Sequence, residues 1–195
     1  MRRAIDPSGF EAKFRGDIDP WNYRASPFEA YKRRVLLRAC GDRLYGRGLE
    51  LACAIGETSR LLSERCLRLL ANDSAPTAIR EAKRQPLGRR PIDYAVAELP
   101  DEMPRGPFDL IVASEIAYYL KPRDLARLLQ RVTAALAPGG RLVALHHLKP
   151  FDDAAQLPAL AQRRIRQACG VRMHLVFLER HARFEAVAYE KPRRA

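Results

Sequence analysis

The sequence predicts an α/β fold on a mostly parallel seven-stranded sheet, with one antiparallel strand near the C-terminus and helices on both faces. Three observations lead there. Short apolar runs around Leu49 and Leu51 and over residues 67–71, 92–96, 108–113 and 141–145 are separated by helical patterns, the arrangement that builds parallel strands through crossover helices. Two further strand-like runs, 173–180 and 183–189, have too little chain between them for a crossover and must pair antiparallel. With 195 residues and 47% hydrophobic content, the chain can bury one substantial core, so a single domain over 1–195 is expected.

The elements follow in order. Residues 1–25 are polar and punctuated by Pro7, Gly9, Gly16 and Pro20, and read as an irregular segment. Ser26, Pro27 and Glu29 then form a capping box with proline at the first helical position, and the helix runs to about Cys40. Its apolar stripe is Phe28, Tyr31, Val35, Leu36 and Ala39; Lys32, four residues from Phe28 and from Leu36, falls on that inward side, near a cleft or snorkelling at its edge. In LELACAIGET, from Leu49 to Thr58, a buried strand enters a turn of small residues, Ala52 to Gly56, and a helix opens at once from Glu57. The second strand ends at Asp73, with a helix over 75–84 behind it. After the third and fourth strands come SEIAYYL and a helix over 123–137, which buries Leu125, Leu128, Leu129, Val132 and Leu136 and is stopped by Pro138, Gly139 and Gly140. A helix near 158–168 precedes the closing strand pair.

The formal net charge is +12, and only six of the 35 basic residues are lysines. Arginines concentrate slightly at Arg2 and Arg3, Arg89 and Arg90, residues 163–166, and Arg193 and Arg194, but otherwise spread along the chain as on a solvated surface, with attraction of an anionic substrate as the second reading. Cys40, Cys53, Cys66 and Cys169 have no C-x-x-C spacing and no clustered histidines. No metal site and no disulfide framework is therefore expected, and the four read as free, mostly buried thiols. The start MRRAIDPSGFEAKF is interrupted by charges and Pro7, and no stretch approaches a membrane span, so a cytoplasmic protein without a membrane partner is expected.

The strand, turn and helix of LELACAIGET resemble motif I of the class I methyltransferases that use S-adenosylmethionine, usually E-x-G-x-G-x-G. Glu50 stands in the acidic place, Gly56 in the last glycine place, and Ala52 and Ala54 replace the first two glycines. Alanine takes positive φ less cheaply than glycine, so either the turn has negative φ at 52 and 54 or cofactor affinity suffers. Further motifs fall in order: Asp73 in ANDSAPTAI, Glu98 in VAELP, FDLIVASEIAYYL after the third strand, and LAPGGRLVAL at the fifth. Within that superfamily, DPWNYRASPFE, CAIG and SEIAYYL resemble the NodS-like N-methyltransferases.

The resemblance implies a Rossmann-like fold with S-adenosylmethionine as cofactor. It implies that Asp73 holds the ribose hydroxyls, Glu98 faces the adenine amino group, and Lys32 meets the methionyl carboxylate. Cys53, Ser74 and Ser114 stand beside these motif residues and complete the expected cofactor set. Asp19, Trp21 and Tyr23 would help cover cofactor and substrate, making 1–40 a cover segment and helix. The residues themselves leave other roles open: Asp73 as a helix cap, Glu98 in a solvated loop, Trp21 and Tyr23 as packing aromatics.

Ligands of such sheets lie beyond the carboxyl ends of the strands, which places Glu115, Tyr118, Tyr119, His146 and His147 around the methyl acceptor. Glu115, Tyr119 and His147 are the expected catalytic set. A histidine there can take a proton near neutral pH; since adjacent strand residues face opposite sides, at most one of the two histidines faces the site. The expected acceptor is a small-molecule amine, such as an amino sugar or deacetylated oligosaccharide. An RNA methyltransferase is the second reading, and a non-catalytic S-adenosylmethionine-binding protein the third. The fourth strand ends in SEIAYY rather than an Asn-Pro-Pro-Tyr type of motif, and 195 residues leave no room for an appended RNA-binding domain.

Overall fold

A helix opens the structure, a computed structural model that describes residues 4–86 and 88–193. Helix α1, Pro7–Gly16, occupies part of the segment expected to be irregular. Asp6 caps it by accepting the Gly9 N–H at 2.8 Å, Pro7 fills the first position, and Phe14 is buried. Polar composition and two glycines hid a short helix whose start signal is nevertheless regular. Helix α2, Pro27–Cys40, starts as expected, with the Ser26 hydroxyl accepting the Glu29 N–H, and buries Lys32, Val35, Leu36, Ala39 and Cys40.

The remaining elements are β1 (Tyr45–Leu51), α3 (Glu57–Leu62), β2 (Cys66–Asp73), α4 (Pro76–Arg84), β3 (Ile92–Val96), β4 (Phe108–Ser114), a 3₁₀ turn (Ala117–Tyr119), α5 (Pro122–Ala135), β5 (Leu136–His147), α6 (Pro158–Gly170), β6 (His174–Arg180) and β7 (Phe184–Glu190). The strands form one seven-stranded sheet in the order β3-β2-β1-β4-β5-β7-β6, in which β7 alone runs against its neighbours. One boundary differs from expectation. Helix α5 ends at Ala135, and Pro138, Gly139 and Gly140 lie within β5 rather than acting as a helix stop. Leu136 already pairs with Phe108, and the register shifts between Phe108 and Leu110.

Two buried clusters sandwich the sheet. On one face Val35, Leu36 and Ala39 of α2 pack against Leu110, Val112, Val143 and Phe184; on the other Leu125, Leu128 and Val132 of α5 and Ile165 of α6 pack against Leu49, Ile111 and Leu142. Each fully buried side chain of this size contributes about 1.5–3 kcal/mol over an exposed one. The first strand pairs with β2 on one side and β4 on the other, so the chain order reverses at β1 and opens a crevice beyond the carboxyl ends of these strands. No helix among the described residues is long and apolar enough to cross a membrane. Of the arginine concentrations, Arg2, Arg3 and Arg194 lie outside the described residues.

Candidate active site

The turn after β1 keeps the glycine-type backbone with alanine in it. Ala52 has φ 56° and Ala54 φ 48°, and Gly56 follows at 82°. The first of the two sequence alternatives, negative φ at 52 and 54, is therefore not what the chain adopts. Left-handed backbone costs an alanine about 1–2 kcal/mol, a strain that the surrounding hydrogen bonds must hold. The Cys53 N–H donates to the Asn72 carbonyl at 2.8 Å and the Gly56 N–H to the Cys53 carbonyl at 3.0 Å. Gly56 is required twice over, by its φ and because a Cβ there would fall 2.7 Å from the Tyr94 hydroxyl.

Asp73 closes this loop from the end of β2. Its Oδ2 accepts the Ala54 N–H at 2.9 Å and its Oδ1 the Ala75 N–H at 3.0 Å, so it both binds the turn and caps the α4 region. Burial raises its pKa against those backbone hydrogen bonds. Glu50, 2% exposed, receives the Ser59 hydroxyl at 2.5 Å; burial pushes its carboxyl up to about 8, so it stands protonated at neutral pH.

The crevice is a cavity of about 400 Å³, within the range of small-molecule sites. Ala52, Ala54, Asp73 and Ser74 line one side, and Ser114, Glu115, Tyr118, Tyr119 and His147 line the other. Glu115, itself at φ 56°, has both oxygens engaged. Oε1 takes the Lys32 ammonium at 2.5 Å, and Oε2 accepts the Tyr118 hydroxyl at 2.5 Å and the His147 N–H at 2.9 Å. Burial works to raise its pKa, but the Lys32 charge and these hydrogen bonds prevail and hold it below the usual carboxylate range. Glu115 is thus an ionised anchor with little capacity as a base. Burial lowers the pKa of His147, leaving its imidazole neutral at pH 7. His146 faces away: its Nε2 accepts the Ala117 N–H at 3.1 Å and its Nδ1 meets Gln162 Oε1 at 2.8 Å, which fixes the Nδ1–H tautomer, and burial pushes it down to about 4.

An aromatic cluster forms part of the cavity wall. Phe10, Phe14, Trp21 and Tyr23 line it, and Asp19 shapes the strap by accepting the N–H groups of Tyr23 and Arg24. Helix α1 is pinned to α4 through Glu11, which accepts the Thr77 N–H at 2.9 Å and its hydroxyl at 2.7 Å, supplying the cap that Ala75 lacks.

The structure therefore gathers Trp21, Lys32, Ala52, Ala54, Asp73, Ser74, Ser114, Glu115, Tyr119 and His147 around one cavity, with Glu50 and Cys53 in a recess that shares its wall. Glu98 is exposed and stands outside the lining, whereas its neighbours Ala97 and Leu99 line an adjoining recess. Sequence reasoning missed Phe10, Lys13, Phe14, Phe151 and Asp153, which also line the cavity; the i, i+4 spacing of Phe10 and Phe14 behind the Asp6-Pro7 cap was the available signal.

Known proteins are similar to this chain. Residues 49–142 match a family model described as a methyltransferase domain. Nodulation protein S of Rhizobium tropici is 33% identical over 129 residues, which are 64% of this chain and 53% of that protein. The chain spans between half and two thirds of the length of the nodulation protein S relatives it matches. Among solved structures, N-methyltransferase NodS from Bradyrhizobium japonicum WM9, in complex with S-adenosyl-L-homocysteine, is 24% identical with a TM-score of 0.76, over 93% of this chain and 98% of that one. A Pseudomonas syringae protein assigned as a methyltransferase is 31% identical with a TM-score of 0.67, over 84% of this chain and 99% of its own. The domain match begins in β1 and ends in β5, taking in the turn after β1 and the residues after β4, and with the Pseudomonas syringae relative, 31% identical and covered over 99% of its length, it means that the chain belongs to the methyltransferases.

Proposed function

We propose that this chain is an enzyme that transfers a methyl group from S-adenosylmethionine to an amine nitrogen of a small molecule, with an amino sugar or deacetylated oligosaccharide as the acceptor class. The carrying observation is one cavity with a nucleoside-type half, Asp73 and the small-residue turn, and an acceptor half, Glu115, Tyr119 and His147. The nitrogen acceptor draws its support from the NodS N-methyltransferase, and the cofactor from the S-adenosyl-L-homocysteine in that structure. The activity belongs in the cytoplasm, where thiols stay reduced; Cys40, Cys53, Cys66 and Cys169 are free and buried.

The residues present fit the cofactor. Asp73 offers a buried carboxylate at the cavity wall, suited to two ribose hydroxyls, and the turn has no side chain larger than a methyl where Ala52 and Ala54 meet the cavity. When bound, S-adenosylmethionine supplies a methyl group on a sulfonium, a good leaving group, so the protein's task is alignment and exclusion of water. Phe10, Phe14 and Trp21 exclude water. Glu115 positions the site: it fixes Lys32, the Tyr118 hydroxyl and the His147 backbone together. His147, neutral at pH 7, takes the proton that an acceptor ammonium must lose before its lone pair can react.

Calorimetric titration with S-adenosyl-L-homocysteine tests the cofactor half. Incubation of glucosamine oligomers with S-adenosylmethionine, read by product mass, tests the acceptor half, with fully N-acetylated oligomers as the control. The expected product is 14 mass units heavier per methyl transferred, formed faster as pH rises and the amine loses its proton. Methylation of hydroxyl or carboxyl acceptors with the amine series inert would overturn the nitrogen assignment.

A further inference from the structure

The cavity already holds an ammonium, and it belongs to the protein. Lys13 Nζ donates to Asp153 Oδ2 at 2.7 Å and stands 5.4 Å from the centroid of the Trp21 ring. Phe10 meets Tyr119 edge-on with centroids 4.8 Å apart, and Tyr119 packs on Phe151 at 5.7 Å. A carboxylate backed by aromatic rings is the chemistry that selects an organic ammonium ion. Lys13 and Asp153 come from α1 and from the loop after β5, 140 residues apart, and both line the cavity.

Stability does not explain the pair. The two side chains are 40% and 31% exposed, and ion pairs with that much solvent contribute about 0–1 kcal/mol. Nor does either partner need the other to stay in place. The Asp153 carbonyl accepts the Ile5 N–H at 3.1 Å, which holds the loop through its backbone, and α1 is fastened separately through Glu11 and Thr77. The lysine is a flexible arm resting in a fixed anionic, aromatic seat.

We propose that Asp153, with the Trp21 and Tyr119 rings, is the subsite that captures the acceptor's amine in its ammonium form, and that Lys13 fills this seat until the acceptor displaces it. The assignment rests on the amine-acceptor reading above. Capture precedes chemistry, because the nitrogen must shed its proton before methyl transfer; Asp153 is therefore a specificity-determining residue that acts on KM more than on kcat. Lys13 is an internal competitor, and only a basic acceptor gains by evicting it.

The test uses the tetramer of glucosamine in two parallel measurements. One is steady-state methyl transfer at saturating S-adenosylmethionine. The other is titration of the tetramer into protein saturated with S-adenosyl-L-homocysteine, read by the fluorescence of Trp21, the single tryptophan of the chain. In Asp153→Asn, both KM and the tetramer Kd should rise about three- to fivefold, the scale of a partly exposed ion pair, with S-adenosyl-L-homocysteine affinity unchanged. In Lys13→Met both should fall severalfold, and Lys13→Arg, which keeps the plug, should remain near wild type. The N-acetylated tetramer should show none of these differences. Unchanged KM and Kd in Asp153→Asn, or a loss in Lys13→Met as large as in Asp153→Asn, overturns the subsite. Binding that depends on Asp153 without any methyl transfer would uphold the subsite and sink the amine-transfer reading. Methyl transfer that ignores Asp153 would do the reverse, and a tetramer that neither binds nor reacts defeats both.

Discussion

The Glu115 carboxylate grips the Lys32 ammonium at 2.5 Å, joining the residue after β4 to the middle of α2 across the wall of the cavity. Both side chains are nearly shielded, at 13% and 9% exposed, and Lys32 also meets Glu29 at 2.9 Å. Burial opposes the Lys32 charge, but the two carboxylates outweigh it and raise its pKa, while Glu115 is lowered. Removing one partner of such a pair strands the other charge, which costs about 3–5 kcal/mol. Lys32→Met should lose that much in urea unfolding at pH 7. The lowered Glu115 pKa contributes stability above the ordinary carboxyl range that is lost as pH falls through its folded value. The raised Lys32 pKa contributes below the ordinary lysine range and is lost as pH rises through its own. The difference between wild type and Lys32→Met should therefore be present at neutral pH, shrink as pH falls and the Glu115 carboxyl protonates, and shrink again as pH rises through the Lys32 value.

The two alanines of the turn after β1 make an opposite prediction. Ala52 and Ala54 sit at φ 56° and 48°, where glycine would relieve about 1–2 kcal/mol of strain and give back about 0.5–1 kcal/mol in unfolded-chain entropy. Ala52→Gly and Ala54→Gly should each stabilise the chain by up to about 1 kcal/mol in thermal unfolding, with S-adenosyl-L-homocysteine binding no weaker. A lower melting temperature would show that the methyl groups pack well enough to outweigh the strain.

These cases mark where sequence was informative. The alternation of strands and helices and the single reversed strand followed from the sequence pattern and element lengths, since a closing pair with no crossover can only be antiparallel. Lys32 was placed inward by its spacing from Phe28 and Leu36. Positive φ at Ala52 was not legible, because residue type disfavours it and the restraints come from hydrogen bonds such as that of Cys53 to Asn72 on a neighbouring strand. The partnership of Lys13 with Asp153 spans 140 residues, and no local pattern encodes it. The β5 boundary was misread because Pro138, Gly139 and Gly140 signal a helix stop, whereas Leu136 is already paired with Phe108.

Asp73 should couple cofactor binding to the integrity of the turn. Its two oxygens hold the N–H groups of Ala54 and Ala75, and in the proposed reading the same carboxylate receives the ribose hydroxyls. Asp73→Ala should weaken S-adenosyl-L-homocysteine binding about ten- to a hundredfold, the scale of lost charge-assisted bonds. It should also cost about 1–3 kcal/mol of stability without ligand, because two backbone donors lose their partner. Calorimetry and urea unfolding of the same variant separate the two effects. Unchanged affinity would remove Asp73 from the cofactor site.

Glu50 should make the ligand-free protein lose stability as pH rises through neutrality. Its carboxyl is lifted by burial from its ordinary value of 4.5 to about 8, and the hydrogen bond from the Ser59 hydroxyl opposes that burial without cancelling it. A group whose folded pKa is raised binds more protons folded than unfolded between those two values. Its stabilising contribution is complete below about pH 4.5 and is gone by the time pH passes the folded value near 8. The decline between them has a limiting slope of about 1.4 kcal/mol per pH unit. Glu50→Gln keeps an acceptor for Ser59 and has no proton to lose, so its urea midpoint should vary much less than that of wild type between pH 5 and 8, with the two proteins closest at the acid end. Equal pH slopes in the two proteins would show that Glu50 is ionised in the fold, and that the acidic place of the motif holds a buried charge after all.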